Sequence, residues 1–258
     1  MRSMMKVLLS GACLVVAWSA LVIPACPAWA VSNWSGSGTN GETAHLVSAS
    51  AMFDVTGSTL TIVLSNTTAG GTLKRGDVLT GLAFDVDGSS TVTLNTISRG
   101  SSTIYSSKTA TNNAAALSGS WTTHLGEEPL SGYDHGIATT GYDGAFSAGG
   151  ITRGTGGANY GIVAAGTFPN AGASSSFNSS AFPLIQNSLT FTYAISGSFE
   201  QDDINRVAFL FGTAGTGTVT GSCLSGCAPV ISNVPEPPMI VLLGTGLVVL
   251  GFARARRV

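Results

Sequence analysis

Short runs in which apolar and polar residues alternate are the feature that most limits how this chain can fold. In residues 189–196 the larger apolar side chains fall on every second position, at Leu189, Phe191, Tyr193 and Ile195. A period of two is that of a β-strand, in which successive side chains point to opposite faces of a sheet. This run therefore predicts a strand with one face buried in a core.

Further strand patterns recur along the chain, separated by loops rich in Gly, Ser, Thr and Asn. We predict strands at residues 44–53, 59–65, 78–85, 91–97, 160–165 and 207–213, the last lying deep in a sheet because it is almost wholly apolar. No long amphipathic helix separates these runs, which disfavours βαβ winding. The pattern favours an all-β fold, an antiparallel β-sandwich that is jelly-roll-like.

Three local expectations go with this fold. Asp87-Gly88 lies between two strand patterns and predicts a hairpin. Residues 33–40 are mostly Ser, Gly, Thr and Asn and predict a flexible entry to the body. Residues 109–158 show little periodicity, but a structureless loop of that length is uncommon in a compact domain. We therefore expect a short helix or strand within them.

The N-terminus has the three parts of a secretory signal peptide. Arg2 and Lys6 precede an apolar stretch over residues 7–23, and Ala28 and Ala30 form a small-x-small cleavage site. We predict a signal helix in residues 1–30, with cleavage before Val31. An alternative is a lipoprotein signal at residues 23–26, in which Cys26 would carry the lipid.

The C-terminus has three parts of its own. Prolines at 235, 237 and 238 fix φ and forbid a helix through that segment. Residues 239–253 are uncharged and mostly apolar, and as a helix they would be about 22 Å long, against roughly 30 Å for a bilayer core. Arginines follow, as expected on the cytoplasmic side of a membrane segment. These features predict a single transmembrane helix used for sorting.

This arrangement resembles the PEP-CTERM tail of bacterial surface proteins. The matching residues are the motif Val234, Pro235, Glu236 and Pro237, the membrane segment at residues 239–252, and the basic stop Arg254, Arg256 and Arg257. The resemblance covers about 25 residues and implies recognition and cutting by exosortase, a membrane enzyme. It also implies passage through the inner membrane to the cell surface or extracellular matrix of a Gram-negative, exopolysaccharide-producing bacterium. An ordinary C-terminal anchor is the alternative.

The chain thus divides into a signal peptide (1–30), an exported β-sandwich domain (31–232) and a sorting tail (233–258). Charged residues make up 9% of the chain, well below the roughly 25% usual in globular proteins, which suits a secreted β-rich protein. Residues 31–234 contain six basic and twelve acidic side chains, a net charge of −6. A mildly acidic body without a basic cluster argues against nucleic acid and anionic lipid as partners.

Two cysteines remain after signal removal. Cys223 and Cys227 are close enough in sequence to form a small disulfide loop in an oxidising compartment, and two free thiols are the alternative. Two thiols supply half of a tetrahedral set, and no histidine lies near them in sequence, so we predict no metal there.

No catalytic motif accompanies the histidines His45, His124 and His135. A His–carboxylate pair is conceivable at Asp134-His135 or at His124 with Glu127-Glu128, but surface histidines are the simpler interpretation. The acidic residues within 85–87 and 200–203 could supply oxygen ligands for Ca²⁺. The alternative is that they only form turns and lie in solvent. Aromatic side chains that could stack on sugars, or pack in the core, are Trp121, Tyr133, Tyr142 and Tyr160.

The sequence therefore predicts a non-enzymatic surface or matrix protein without a cofactor. Exosortase, the inner membrane and an exopolysaccharide are its expected partners. A carbohydrate-binding module of the matrix is the second hypothesis, and a secreted hydrolase with a His–carboxylate site is the remote third.

Overall fold

The computed structural model describes residues 31–70, 74–87, 90–107, 117, 120–130, 132–139, 158–165, 177, 182–212 and 217–227, with the backbone alone over 124–130. Within these residues the chain forms fourteen strands and two single-turn 3₁₀ helices, Arg75–Asp77 and Gln201–Asp203. The strands are β1 (Ser32–Thr39), β2 (Leu46–Thr56), β3 (Thr59–Asn66), β4 (Leu79–Val86), β5 (Thr91–Ser98), β6 (Ile104–Tyr105), β7 (Trp121–Leu130), β8 (Tyr133–Thr139), β9 (Ile162–Val163), β10 (Leu184–Gln186), β11 (Ser188–Ser196), β12 (Ile204–Phe211), β13 (Gly217–Thr220) and β14 (Ser222–Ser225).

The strands form two sheets. A six-stranded sheet has the order β14-β1-β2-β3-β11-β5, and every neighbouring pair in it is antiparallel. The eight-stranded sheet contains the path β13-β12-β4-β9-β10-β6, with β8 pairing β4 and β7 pairing β8. Its β9–β10 pair is parallel. The fold is therefore all-β, with mixed pairing in one sheet.

One apolar core is shared by the two sheets. From the six-stranded sheet, alternate residues of β2, β3 and β11 point into it, including the predicted faces Leu60, Ile62, Leu64 and Leu189, Phe191, Tyr193, Ile195. Phe53 from this sheet meets Phe84 from the other edge-on, with 5.5 Å between ring centroids. The period-two interpretation of these strands is confirmed.

The central strands of the eight-stranded sheet are buried on both faces. In β12, residues 207–211 are all buried, as the apolar run predicted. In β4, seven of the eight residues are buried. On the side away from the shared core lies a second apolar cluster made of Val78, Tyr105, Ala158, Val163, Phe177 and Leu184. Burial on two faces explains why these strands read as nearly continuous apolar runs.

The hairpin predicted at Asp87-Gly88 is wrong. The strand before it, β4, belongs to the eight-stranded sheet, and the strand after it, β5, belongs to the six-stranded sheet. The connection therefore crosses from one sheet to the other instead of folding back beside its own strand. A turn signal between two strand patterns fixes a change of direction but not which partner each strand takes.

The flexible entry predicted for residues 33–40 is also wrong. This segment is the strand β1, which pairs along its whole length with β2. Trp34 is buried in the core. A Cβ added at Gly36 would lie 2.7 Å from the Thr220 carbonyl oxygen, so glycine there lets β1 approach β13 closely. Glycine and serine in this strand reflect that close approach.

Residues 109–158 contain the strands β7 and β8, in line with the expectation of hidden structure there. No helix among the described residues is long and apolar enough to cross a bilayer. The predicted signal peptide, with Ala28 and Ala30, and the whole sorting tail lie outside the described residues.

Candidate functional site

The two ends of the described body meet at one edge of the six-stranded sheet. β1 begins one residue after Val31 and pairs antiparallel with β14, the last strand, with Trp34 opposite Cys223 and Asn33 opposite Ser225. The Asn33 side-chain amide donates a hydrogen bond to Ser225 Oγ at 3.0 Å. We call this paired edge the terminal clasp, defined by β1 and β14.

A disulfide overlaps the terminal clasp. Cys223, within β14, is bonded to Cys227, just after β14 ends, with their Cα atoms 6.3 Å apart. Cys227 packs against the core and is partly buried. Leu224, within the loop that the disulfide closes, is exposed. The sorting-motif residues Val234, Pro235, Glu236 and Pro237 and the basic stop Arg254, Arg256 and Arg257 lie beyond it, outside the described residues.

A buried aspartate joins the loop between β1 and β2 to the first 3₁₀ turn. Asp77 is 1% exposed. Its Oδ1 accepts the Thr43 hydroxyl at 2.6 Å, and its Oδ2 accepts the Lys74 backbone N–H at 2.9 Å. His45 Nδ1 lies 2.8 Å from the same Oδ2. Three donors thus surround one carboxylate, which is how a buried charge is compensated.

This aspartate network is extended by two buried amides. The Asn66 side chain donates to the backbone carbonyls of Asp77 at 3.2 Å and Ile162 at 2.8 Å. Asn40 donates to the Gly76 carbonyl at 2.5 Å. The network therefore ties the β1–β2 loop, the end of β3 and the start of β9 to the same 3₁₀ turn.

The geometry of the aspartate network favours a structural role. His45 and Asp77 have the hydrogen bond of a catalytic dyad, and the His45 side chain is 31% exposed. However, the Thr43 hydroxyl donates its proton to Asp77, so His45 does not activate it as a nucleophile. His45 and its partner are 32 residues apart in the chain. Sequence alone does not reveal this pair, because no local pattern joins the two residues.

His135 is buried, which corrects the prediction of a surface histidine. It is 6% exposed and stacks on Phe84, with ring centroids 5.4 Å apart. Its Nδ1 lies 2.6 Å from Oδ1 of the adjacent Asp134, and the same oxygen accepts the Val86 backbone N–H at 3.1 Å. The adjacent pair considered in the sequence does meet, but it fastens β8 to β4. The side chains of His124, Glu127 and Glu128 lie outside the description.

The acidic segments considered for Ca²⁺ come together at one end of the molecule. The Asp87 N–H donates to the Asp203 carbonyl at 2.8 Å. Their carboxylates, however, are engaged by protein donors. Asp85 accepts Arg206 at 2.5 Å, Asp87 accepts Asn205 at 2.8 Å, and Asp203 accepts the Glu200 N–H at 2.7 Å. In the described part of the chain, no three His, Cys, Asp or Glu side chains are grouped to hold a metal.

Arg206 also covers an aromatic ring. Its guanidinium carbon lies 5.3 Å from the centroid of Tyr133. Burial raises the pKa of the Tyr133 hydroxyl, the Arg206 charge opposes that shift, and the Asp85 carboxylate adds to it. The hydrogen bond to Asp85 raises the pKa of Arg206 in turn. These three side chains form one charged contact across β12, β4 and β8.

The aromatic residues considered for sugar stacking are engaged with other parts of the body. Trp121 is buried, meets Phe191 edge-on at 5.1 Å, and donates its Nε1–H to the Tyr160 carbonyl at 3.2 Å. Tyr160 itself packs on the core, whereas Tyr133 lies under Arg206. Tyr142 lies outside the described residues.

A shallow depression of about 410 Å³ opens beside the terminal clasp. Its lining is small and mostly hydroxylic: Ser35, Gly36, Ser37, Ser48, Ala49, Thr67, Thr220 and Ser222. Hydroxyls both donate and accept hydrogen bonds, so the depression could bind a neutral polar ligand. It contains no titratable side chain for acid–base chemistry.

Comparison of the chain with protein-family models, with curated proteins and with solved structures gave no match.

Proposed function

We propose that this chain is an exported, non-enzymatic surface or matrix protein that exosortase sorts, and cuts, through its C-terminal tail. The terminal clasp is the observation that supports this most. The strand that follows the predicted signal-cleavage site pairs with the strand that precedes the tail. A body whose two ends are fastened together keeps its fold when both flanking segments are removed.

The disulfide between Cys223 and Cys227 also supports export from the cell interior. Structural disulfides persist in oxidising compartments, and this one lies at the boundary between the body and the tail. On this proposal the chain crosses the inner membrane, is held there by its tail, and is then delivered to the cell surface or matrix of a Gram-negative bacterium. Exopolysaccharide is the proposed neighbour there, and nucleic acid is not a partner.

The proposal extends to the arrangement of the strands and of the two terminal segments. We propose a jelly-roll-like sandwich, flanked before processing by an N-terminal signal helix and a single C-terminal transmembrane helix. Repeated crossing of the chain between the sheets supports it, since β3, β4 and β5 lie alternately in one sheet and the other. Strands β1, β2 and β3 are successive neighbours instead, as in a meander.

Replacing the sorting motif tests the proposal. Pro235→Ala, Glu236→Ala and Pro237→Ala together should leave an uncut protein in the inner membrane, because exosortase would no longer recognise the segment. Immunoblotting of membrane, surface and medium fractions measures this. The control is Pro169→Ala, which removes a proline from the body only. Equal delivery of the motif variant and the wild type would contradict the proposal.

A carbohydrate-binding module is the second candidate, and the hydroxyl-lined depression is the observation that favours it. Glycan-array binding by the exported protein measures it directly. Binding that is lost in Ser35→Val with Ser48→Val, and kept in Thr190→Val, would support this candidate. Absence of binding to any glycan would count against it.

A further inference from the structure

Strand β5 forms one edge of the six-stranded sheet. An edge strand offers unpaired N–H and C=O groups to another chain, and proteins commonly guard it by shortness, charge or proline. Among the described edges, β6 has 2 residues, and β13 and β14 have 4 each. β7 is longer but contains Glu127, Glu128 and Pro129. β5 has 8 residues with neither a charge nor a proline.

One side of β5 has no pairing strand among the described residues, although β7 of the other sheet comes near it. It pairs with β11 on its inner side, and no other strand in the described ranges pairs with it. Its hydroxyl and amide side chains are exposed at Thr91, Thr93, Asn95, Thr96 and Ser98. Apolar side chains also reach this edge, since Leu94 and Ile97 are only partly buried against the core.

A bulge in β5 decides which side chains face the core. Val92 lies opposite Ile195 and Leu94 opposite Tyr193, but the next partner, Thr192, lies opposite Thr96. Asn95 is therefore the extra residue, and it reverses the alternation after it. As a result Val92, Leu94 and Ile97 all lie toward the core, while Thr91, Thr93, Thr96 and Ser98 lie on the outer face.

This arrangement makes the strand complementary to itself. In an antiparallel pair about a two-fold axis between Leu94 and Asn95, Val92 lies opposite Ile97 of the second copy, on the core face. Thr93 then lies opposite Thr96, and Thr91 opposite Ser98, on the outer face. Directly opposed residues must share a face. Without the bulge Val92 and Ile97 would point to opposite faces, and this register would fail.

We propose that β5 pairs antiparallel with β5 of a second copy of this chain, joining two six-stranded sheets into one. The contact is isologous, so it closes at a dimer and does not propagate into a fibre. The far edge of the same sheet is β14, which is short and carries the disulfide bond through Cys223. This inference does not depend on the sorting proposal, because it uses only the body.

Sedimentation velocity of the full chain, purified in its exported form over a range of concentrations, measures the dimer. Thr93→Lys with Thr96→Lys places like charges opposite each other twice across the two-fold axis. We expect the dissociation constant to rise by about tenfold or more. Thr93→Lys with Thr96→Glu places opposite charges in the same two positions and should restore the dimer.

The matched control is Thr190→Lys with Thr192→Lys on β11, which adds the same charge to the same sheet one strand away from the edge. It should dimerise as the wild type does. Thermal unfolding of each variant verifies that it is folded. A wild-type monomer at every concentration would overturn the proposal, and so would a dimer indifferent to Thr93→Lys with Thr96→Lys. Failure of the Lys/Glu variant to dimerise would overturn the proposed register.

Discussion

At the scale of single residues, Asp77 carries the most demanding interaction in the described body. Its carboxylate is buried and accepts hydrogen bonds from Thr43, Lys74 and His45, so each donor depends on it in turn. Removing this carboxylate would break all three bonds at once, although water can replace part of what the partly exposed donors lose. The aspartate network is therefore a point at which one substitution should weaken two loops and a strand together.

Asp77→Ala should lower the free energy of unfolding by about 1–3 kcal/mol, because it removes the buried acceptor shared by the Thr43 hydroxyl, the His45 imidazole and the Lys74 backbone N–H. Asp54→Ala is the control, since Asp54 accepts only an exposed Thr56 hydroxyl bond at 3.2 Å. That change should stay within about 0.5 kcal/mol. Urea unfolding followed by circular dichroism compares them. Equal losses in the two variants would contradict the importance given to the network.

Tyr193 makes the free energy of unfolding depend on pH in the alkaline range. It is fully buried, and burial raises its pKa well above the ordinary value of 10.0. Below pH 10 the Tyr193 hydroxyl is neutral in both the folded and the unfolded chain, so it does not lower the free energy of unfolding. Above pH 10 this hydroxyl ionises in the unfolded chain but stays neutral in the folded chain. The free energy of unfolding therefore falls as pH rises, by up to about 1.4 kcal/mol per pH unit.

Tyr193→Phe should remove that part of the pH dependence. Urea unfolding at pH 8, 9.5 and 11 should show the wild type losing more stability than the variant between the last two values. Tyr105→Phe, which removes a tyrosine hydroxyl that donates to Gln186, is the comparison. Parallel pH curves for wild type and Tyr193→Phe would exclude Tyr193 as the source.

At the scale of elements, the close approach of β1 and β13 draws the two sheets together beside the terminal clasp. The chain passes from β13 in one sheet to β14 in the other through Gly221 alone. β1 lies against this corner, and it has glycine at positions 36 and 38. Only the first of these is sterically required: a Cβ at Gly36 would meet a carbonyl oxygen, while one at Gly38 would lie 3.5 Å from a Val219 methyl.

Gly36→Ala should therefore destabilise the protein by about 1–3 kcal/mol, because a backbone atom must move to admit the methyl group. Gly38→Ala should be neutral or stabilise by up to about 1 kcal/mol, since the new methyl makes ordinary contact and stiffens the unfolded chain. Thermal unfolding of the pair tests the difference. Equal effects would show that β1 and β13 are not held as closely as described.

Sequence periodicity predicted the elements that have one buried face and missed those that do not. β3 and β11 were predictable because Leu60, Ile62, Leu64 and the matching face of β11 alternate with threonines. β1 was not, because Gly36 reflects close contact with β13 and not a flexible segment. The hairpin at Asp87 failed because partner choice is a property of the whole sheet. The His45–Asp77 bond joins distant segments, and no local pattern encodes it.

At the scale of the whole molecule, the terminal clasp relates the body to both ends of the chain. The paired strands leave residue 31 and residue 227 at the same edge, so the predicted signal and the predicted tail depart from neighbouring points. On the proposed route, a precursor retaining both would be held to the membrane at this one edge. Removal of both segments would leave the clasp and the shared core intact, which fits a body made for release.

Mass spectrometry of the mature protein recovered from the cell surface or medium tests the central claim most directly. The account predicts an N-terminus at Val31 and a C-terminus that lacks the apolar segment and Arg254, Arg256 and Arg257, with Cys223 and Cys227 joined. An intact chain running from Met1 to Val258 would contradict it.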